Sequence, residues 1–378
     1  MSNSQGEMDS LFFELIRLSI GISESLSRQP STDEWRCLYQ MAVKQSLLGV
    51  CFAGVRKHME ASKQNGEEVA IPPKAYQYWL GAAVHIQQRN VWMNKRCADF
   101  EKKLAGDGFK SCVLKGQGLA SLYGELSGLR QSGDIDTWAL GKPEDIIEWA
   151  RRTGTMTFYD YHHADLSLYK DTEIELHYRP TLSRNLLRNA RLQRWFKKEG
   201  EKHILFKEEL GFSVPDYAFN VVLILNHNLW HLMYEGVGMR QILDLYFVLR
   251  SNDDGQVHNE VLKLIKHFGL LQFAEASMWI MQEVLGLEER YLLCEPDEKS
   301  GRFLLDEIMR AGNFGKFDER LSKDRYESRV GLMFAWLRHN FRLVRFYPAD
   351  VLWTPIGVLR ISLWRRWRYR KDSRYQKY

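Results

Sequence analysis

Apolar residues recur at helical spacing through the first hundred positions. Leu11, Phe12, Leu15, Ile16, Leu18 and Ile20 form one stripe, and Leu38, Met41, Ala42, Leu47 and Leu48 form another. Asp33 is placed to cap the second of these helices, and Gly66 with Pro72-Pro73 marks a turn before a long helix over about 74–104. The period changes at Gly106-Asp107-Gly108. Short, partly β-branched runs at 111–115, 133–140, 156–161, 165–169 and 173–178 then read as strands. A short helix is expected over 117–123, and Pro143 opens another that runs to about 152. From about 182 helical periodicity returns, with helices expected over 182–198, 216–234, 239–250, 259–285, 301–311, 329–344 and 355–370. No unit of roughly 20–50 residues repeats, which argues against a solenoid. The pattern predicts a helical N-terminal region (1–105), a small α+β core (106–200) and a larger helical C-terminal region (201–378).

Composition changes this picture little. Of 378 residues 45% are hydrophobic and 27% charged, as in an ordinary globular chain. The strongest apolar runs, such as Val221–Leu225, fall far short of the ~20 residues of a membrane span. The first residues carry no basic segment followed by an apolar one, so a secretory signal is not expected. Five scattered cysteines without a CxxC pair argue against a zinc ribbon or a disulfide scaffold and fit reduced thiols in a cytoplasm.

Charge is more informative. The net charge is +5, yet residues 360–378 hold eight Lys/Arg against the single acid Asp372, a net +7 that leaves −2 for the rest. The body of the protein is therefore not basic, and overall charge gives no reason to expect a nucleic-acid binder. The 360–378 tail interleaves aromatics with cations. Such a segment can lie peripherally on an anionic membrane or along a nucleic-acid backbone, or can be a solvated helix end.

The chemistry concentrates in two of the expected strands. Asp134 and Asp136 are two apart, so on a strand their side chains share a face while Ile135 points the other way. Two adjacent carboxylates repel unless a cation lies between them, and Mg2+ favours carboxylates together with phosphate oxygens. In Glu173-Ile-Glu-Leu-His177 the two acids and the histidine share one face, with Ile174 and Leu176 on the other. Flanked by apolar residues, Glu175 is the better candidate to join the aspartates. Three carboxylates can hold two metals, one polarising an attacking hydroxyl and the other neutralising phosphate. Upstream, Lys115-Gly116 closes the first strand and opens a helix. Gly116 allows close approach of a phosphate to the backbone, Lys115 supplies a point charge, and Arg130 could fork a phosphate oxygen. Each signal alone is common on solvated surfaces and in turns. Their order along the chain is not.

That order resembles the nucleotidyltransferase superfamily that includes DNA polymerase β. More closely, it is similar to a largely uncharacterised bacterial nucleotidyltransferase family with the pattern Leu-Lys-Gly, Tyr, Arg, Gly-Asp-Ile-Asp and a later acid-x-His. This chain supplies Leu114-Lys115-Gly116, Tyr123, Arg130, Gly133-Asp134-Ile135-Asp136 and Glu175-Leu176-His177. The resemblance implies an α+β fold with a small mixed-sheet nucleotidyltransferase core between helical regions. It also implies Asp134, Asp136 and Glu175 as catalytic metal ligands for Mg2+ or Mn2+, and Lys115, Gly116, Arg130 and His177 near the nucleotide. The expected activity moves a nucleoside monophosphate from an NTP donor to an unidentified acceptor hydroxyl (sugar, small molecule, protein or RNA end). The alternative is a non-catalytic nucleotide-binding or scaffold module with the tail as its contact surface. Gln117 stands where the broad superfamily has Gly or Ser, and Glu175 where Asp is frequent.

Other features have plainer readings. His162 and His163 precede a strand and read as structural or exposed residues more readily than as catalytic ones, His162 above all. His227 and His231 have zinc-ligand spacing, but Asn228 occupies the position where HExxH needs Glu, so cleft lining or helix packing is the expectation. Arg240 and Asp244, four apart, read as an ordinary surface pair or a brace for the cleft. Trp230, Trp336 and Trp353 read as core residues.

Overall fold

The computed structural model describes residues 3–66, 68–318, 320 and 329–370. It is a mixed α+β chain in which helices surround one five-stranded sheet. The strands are β1 (Ser111–Leu114), β2 (Ile135–Ala139), β3 (Met156–Tyr159), β4 (His163–Leu166) and β5 (Ile174–His177), in the spatial order β1-β2-β5-β4-β3. Only β2 and β5 run parallel, and the other pairs are antiparallel. Strand alternation divides the sheet into two faces. Val113, Ile135, Ala139, Ala164, Leu166, Ile174 and Leu176 all enter one buried cluster, with Met93, Cys97 and Phe100 of helix Pro73–Gly106 and Ile146, Ile147 and Trp149 of helix Pro143–Arg152. The opposite face carries Trp138, stacked on Phe219, and beside it the acidic and histidine side chains of β2, β4 and β5.

A two-stranded hairpin, β6 (Ile204–Lys207) and β7 (Phe212–Pro215), falls between two expected helices, where no strand was expected. Phe212 and Val214 lie in the same buried cluster as Val113 and Ile135, so the hairpin packs with the sheet. Other differences are local. The second helix, Thr32–Lys44, is capped by Ser31 in a capping box with Glu34, and Asp33 lies inside its first turn. The run expected as one helix over 259–285 is broken between Gly255–His267 and Leu271–Trp279, where Gly269 turns the chain at φ +67°.

The last helix begins at Pro348 and not near Pro355, and runs to Tyr369 with Pro355 inside it. Its inner side carries Asp350, Thr354, Gly357 and Tyr369, all buried. Asp350 is paired with Arg188, which also donates to the carbonyl oxygens of Phe268 (2.9 Å) and Gly269 (2.8 Å). The Thr354 hydroxyl lies 2.9 Å from that of Tyr234. Gly357 is crossed closely by the chain at Arg184: a Cβ there would stand 2.5 Å from the Arg184 carbonyl oxygen. The Tyr369 hydroxyl donates to the carbonyl of Tyr159 on β3 (2.5 Å). The described part of the expected basic tail, 360–370, is thus mostly the end of a docked helix, and the remainder, 371–378, lies outside the described residues. Among the described residues no helix is long and apolar enough to cross a membrane.

Removing one partner of a buried ion pair leaves an uncompensated charge and typically costs about 3–5 kcal/mol. Asp350→Ala should therefore loosen this helix first. Hydrogen exchange should rise across 348–369 while the β2 and β5 amides stay protected. Unchanged exchange in that helix would contradict the anchoring role.

Candidate active site

The parallel pairing of β2 with β5 sets Asp136 directly opposite Glu175, and β4 sets Asp165 on the other side of Glu175. Three carboxylates from three neighbouring strands therefore form one row. The next row on the same face contains His177 and His163, also opposite each other. His177 Nε2 stands 2.9 Å from Asp136 Oδ1 and 3.3 Å from Glu175 Oε2, and His163 Nε2 stands 3.0 Å from Asp165 Oδ1. Lys115 Nζ approaches the same Asp136 oxygen to 3.1 Å. Lys115 has φ +49°, an uncommon value for a residue with a side chain, at the turn that closes β1. Gly116 follows at φ +34°. A Cβ there would meet nothing nearer than the Asp134 carbonyl oxygen at 3.7 Å, so backbone conformation and not crowding requires the glycine. The helix it opens, Gly116–Ala120, has only five residues, which makes its dipole a minor contribution.

All of these groups except Asp165 border a cavity of about 600 Å3. Asp134 lines it too, but at an accessible position just before β2. Among the described residues, donor atoms lie within 4.8 Å of one another in Asp136–Glu175–His177, in His163–Asp165–Glu175 and in His162–His163–His177. The structure therefore brings Asp136, Glu175, His177 and Lys115 together. Asp134 is in the same cavity but outside these tight groups. His163 and Asp165 join the row without having been singled out as ligands by strand periodicity.

Electrostatics follow from this crowding. Burial alone would raise the Asp136 pKa, but Lys115 and His177 hold it well below the usual carboxylate range. Burial would lower the His177 pKa, yet its bonds to Asp136 and Glu175 prevail and raise it to about 9. Among the described residues Asp134 has no ion pair of this kind, although the Lys115 charge opposes the rise in part. Partial desolvation, then the Asp136 and Glu175 charges, push its pKa up to about 6. The cluster is thus an anionic site with Lys115 and His177 as its present counter-cations.

Arg130 borders the cavity, but its fork does not face it. Nε and Nη2 donate to the two oxygens of Asp244 (2.6 and 2.7 Å), Nη1 donates to Ser132 (2.7 Å), and Tyr123 also donates to Asp244 (2.7 Å). The expected phosphate fork is instead a buried brace between the loop before β2 and helix Met239–Arg250. This also overturns the expected Arg240–Asp244 surface pair. Asp244 is buried against Arg130, while Arg240 donates to the Gln131 carbonyl (2.7 Å) and lies 5.5 Å from the Phe314 ring centre.

His227 and His231 line the cleft, as cleft-lining residues of helix Tyr217–Tyr234 were expected to. They extend the polar chain: Glu235 contacts His231 (3.0 Å), His231 contacts His227 (2.9 Å), and His227 contacts Lys115 (3.4 Å). Two further cavity cations are Arg184, which carried no local sequence signal, and Arg240, which the sequence offered only as a partner for Asp244. Arg184 lies 3.7 Å over the Tyr234 ring, and the Nε atoms of Arg184 and Arg240 are buried without a hydrogen-bond partner among the described residues. The last helix supplies one wall through Val358, Ile361, Ser362 and Arg365.

Residues 31–286 match the model of a family described as uncharacterised nucleotidyltransferase. No curated protein matches the chain. The matched stretch includes every strand and both Asp136 and Glu175, and it ends before helix Pro348–Tyr369.

Two measurements probe this site. Asp244→Ala leaves Arg130 buried without its countercharge and should cost about 3–5 kcal/mol in denaturant unfolding, far more than a surface pair would. His177, its folded pKa raised from 6.5 to about 9, contributes stability that is complete below pH 6.5 and lost as pH rises through about 9. In chelator, the stability difference between wild type and His177→Gln should shrink over that window. A difference independent of pH there would show that His177 is not the cation between the two carboxylates.

Proposed function

Since the chain belongs to the uncharacterised nucleotidyltransferase family, we propose that it transfers a nucleoside monophosphate from an NTP to an acceptor hydroxyl, releasing pyrophosphate. The observation that carries this reading is the register of β2 and β5, which faces Asp136 with Glu175 on the wall of an open cavity. The donor set suits a divalent cation: two carboxylates and an imidazole converge, and a third carboxylate, Asp134, stands beside them short of a countercharge. Mg2+ fits the oxygen donors, and the imidazole of His177 makes Mn2+ equally suitable. Bound there, such a cation would neutralise phosphate charge and favour ionisation of the acceptor hydroxyl.

The chain's own residues do the rest by position. Asp136 and Glu175 hold the anionic platform. Lys115, now on Asp136, is within reach of a phosphate oxygen once that carboxylate is otherwise engaged. Arg240 and Arg184 present guanidinium groups to the cavity and are read as the contacts for the remaining phosphate charge. Gly116 leaves the first turn open to the nucleotide. Arg130 acts through Asp244 as a positioning residue. The walls from helices Tyr217–Tyr234 and Pro348–Tyr369 restrict water around the reacting groups. The free cysteines, Cys37, Cys51, Cys97, Cys112 and Cys294, support a reducing, cytoplasmic setting for the reaction.

The test is pyrophosphate release with each NTP, Mg2+ or Mn2+ and a lysate as the source of acceptor. Asp136→Asn and Glu175→Gln should each lower turnover by at least about a hundredfold, as loss of charge stabilisation at a reacting phosphate does, and Asp134→Asn should lower it too. Asp134→Asn should keep the wild-type unfolding midpoint or a higher one, whereas Asp136→Asn and Glu175→Gln, which take countercharge from Lys115 and His177, should lower it while the chain stays folded. Turnover unchanged in Asp136→Asn would end this reading. Calorimetric NTP binding without pyrophosphate release would favour a non-catalytic nucleotide-binding module.

A further inference from the structure

The last two helices, Arg329–Leu343 and Pro348–Tyr369, place their apolar side chains on the outside. On the second, Leu352, Ile356, Leu359, Leu363 and Trp367 follow one another at intervals of three or four residues, so they form a single stripe. Leu352 is 70% exposed, Leu359 59% and Trp367 56%. On the first, Phe334, Leu337 and Phe341 do the same, with Phe341 81% exposed. The side turned to the protein is the one with Asp350, Thr354 and Gly357, fixed by the Arg188 pair, the Tyr234 hydroxyl and the close crossing at Arg184. The helix therefore cannot roll to bury its stripe without breaking those contacts. This inverts the usual amphipathic helix of a globular protein, whose apolar stripe faces the core. An exposed apolar surface of this continuity marks an interaction site.

Charge identifies the occupant. Residues 329–370 contain nine arginines and one acid, Asp350, and that acid is buried on Arg188. Arg338, Arg345, Arg360, Arg366 and Arg370 are all exposed around the stripe. A second copy of the chain meeting this face through a two-fold axis would set arginine against arginine. A nucleic-acid backbone would satisfy the arginines and leave the leucines and aromatics in water. A surface that is apolar within and anionic at its boundary satisfies both, and neither helix is apolar enough to cross it. We infer that this helical pair lies on an anionic lipid bilayer, with the leucine, phenylalanine and tryptophan side chains in the acyl boundary and the arginines at the headgroups. Val358, Ile361, Ser362 and Arg365 of the same helix wall the cavity, so docking would hold its mouth at the headgroup layer. That consequence for the acceptor rests on the nucleotidyltransferase reading. The docking itself does not.

The experiment is co-sedimentation of the full chain with vesicles of phosphatidylcholine alone or mixed with phosphatidylglycerol, at low and high salt. Binding should require phosphatidylglycerol and weaken with salt. The Leu352→Glu/Leu359→Glu/Leu363→Glu variant, altered only at exposed positions, should keep the wild-type unfolding midpoint and bind at least about tenfold more weakly. Three outcomes would overturn the inference. One is failure to bind mixed vesicles at low salt. Another is vesicle binding indifferent to the triple substitution. The third is a dimer in sedimentation analysis that the triple substitution dissociates, which would assign the face to a second copy. Pyrophosphate release in the absence of vesicles reports separately on the nucleotidyltransferase reading.

Discussion

Asp136 and Glu175 stand opposite each other on adjacent parallel strands, about 4.8 Å apart along the hydrogen-bonding direction. Two carboxylates at that separation, sheltered from water, repel strongly unless cations are supplied. Much of the surrounding structure can be read as the supply of that charge. Lys115 is turned into a positive-φ conformation at the end of β1, with its ammonium on Asp136, and His177 is placed two residues beyond Glu175 so that it meets both acids. The opposite face of the same strands is buried and, apart from Thr137, apolar, which fixes the register. A slip by one residue would put Ile135, Ile174 and Leu176 into the cavity and the acids into the core. The burial of one face thus enforces the electrostatic tension of the other.

The brace formed by Arg130, Asp244 and Tyr123 belongs to the same logic. The acids sit at the junction of a sheet and a helical body, and the junction must be rigid for their spacing to persist. A buried guanidinium held through both oxygens of one carboxylate ties the entry to β2 to helix Met239–Arg250 at a fixed angle. Arg184 and Arg240 line the same cavity, and among the described residues no ion pair joins either of them to a carboxylate. The cleft therefore holds both signs of charge, carboxylates on the sheet and guanidinium groups at Arg184 and Arg240.

The sheet face was legible in the sequence because strand periodicity is two. The alternation in 133–138 and 173–177 alone assigns Asp136, Glu175 and His177 to one face and their apolar neighbours to the other. Asp165 and His163 were not legible as members of the row, since they join it through the spatial order of β4 beside β5, which no local pattern encodes. Arg130 and Asp244 lie 114 positions apart, so sequence proximity pointed to Arg240 as the partner, and the tertiary pairing prevailed. The β6–β7 hairpin has four-residue strands set between helices, too short for its period to emerge, and Leu205 and Phe206 on its outer strand are exposed. Pro355 read as a helix start because proline suits the first turn. Pro348 takes that position, and the contacts of the docked helix carry it through the second proline.

The cavity draws its walls from two sources with different histories in the chain. The acids, Lys115 and helix Tyr217–Tyr234 lie inside the 31–286 stretch that defines the family, whereas Val358, Ile361, Ser362 and Arg365 lie beyond it. The charged row and this wall are consequently encoded in separable parts of the sequence. Changes confined to one face of the final helix can reshape the wall while the strand register that creates the charged pair remains untouched.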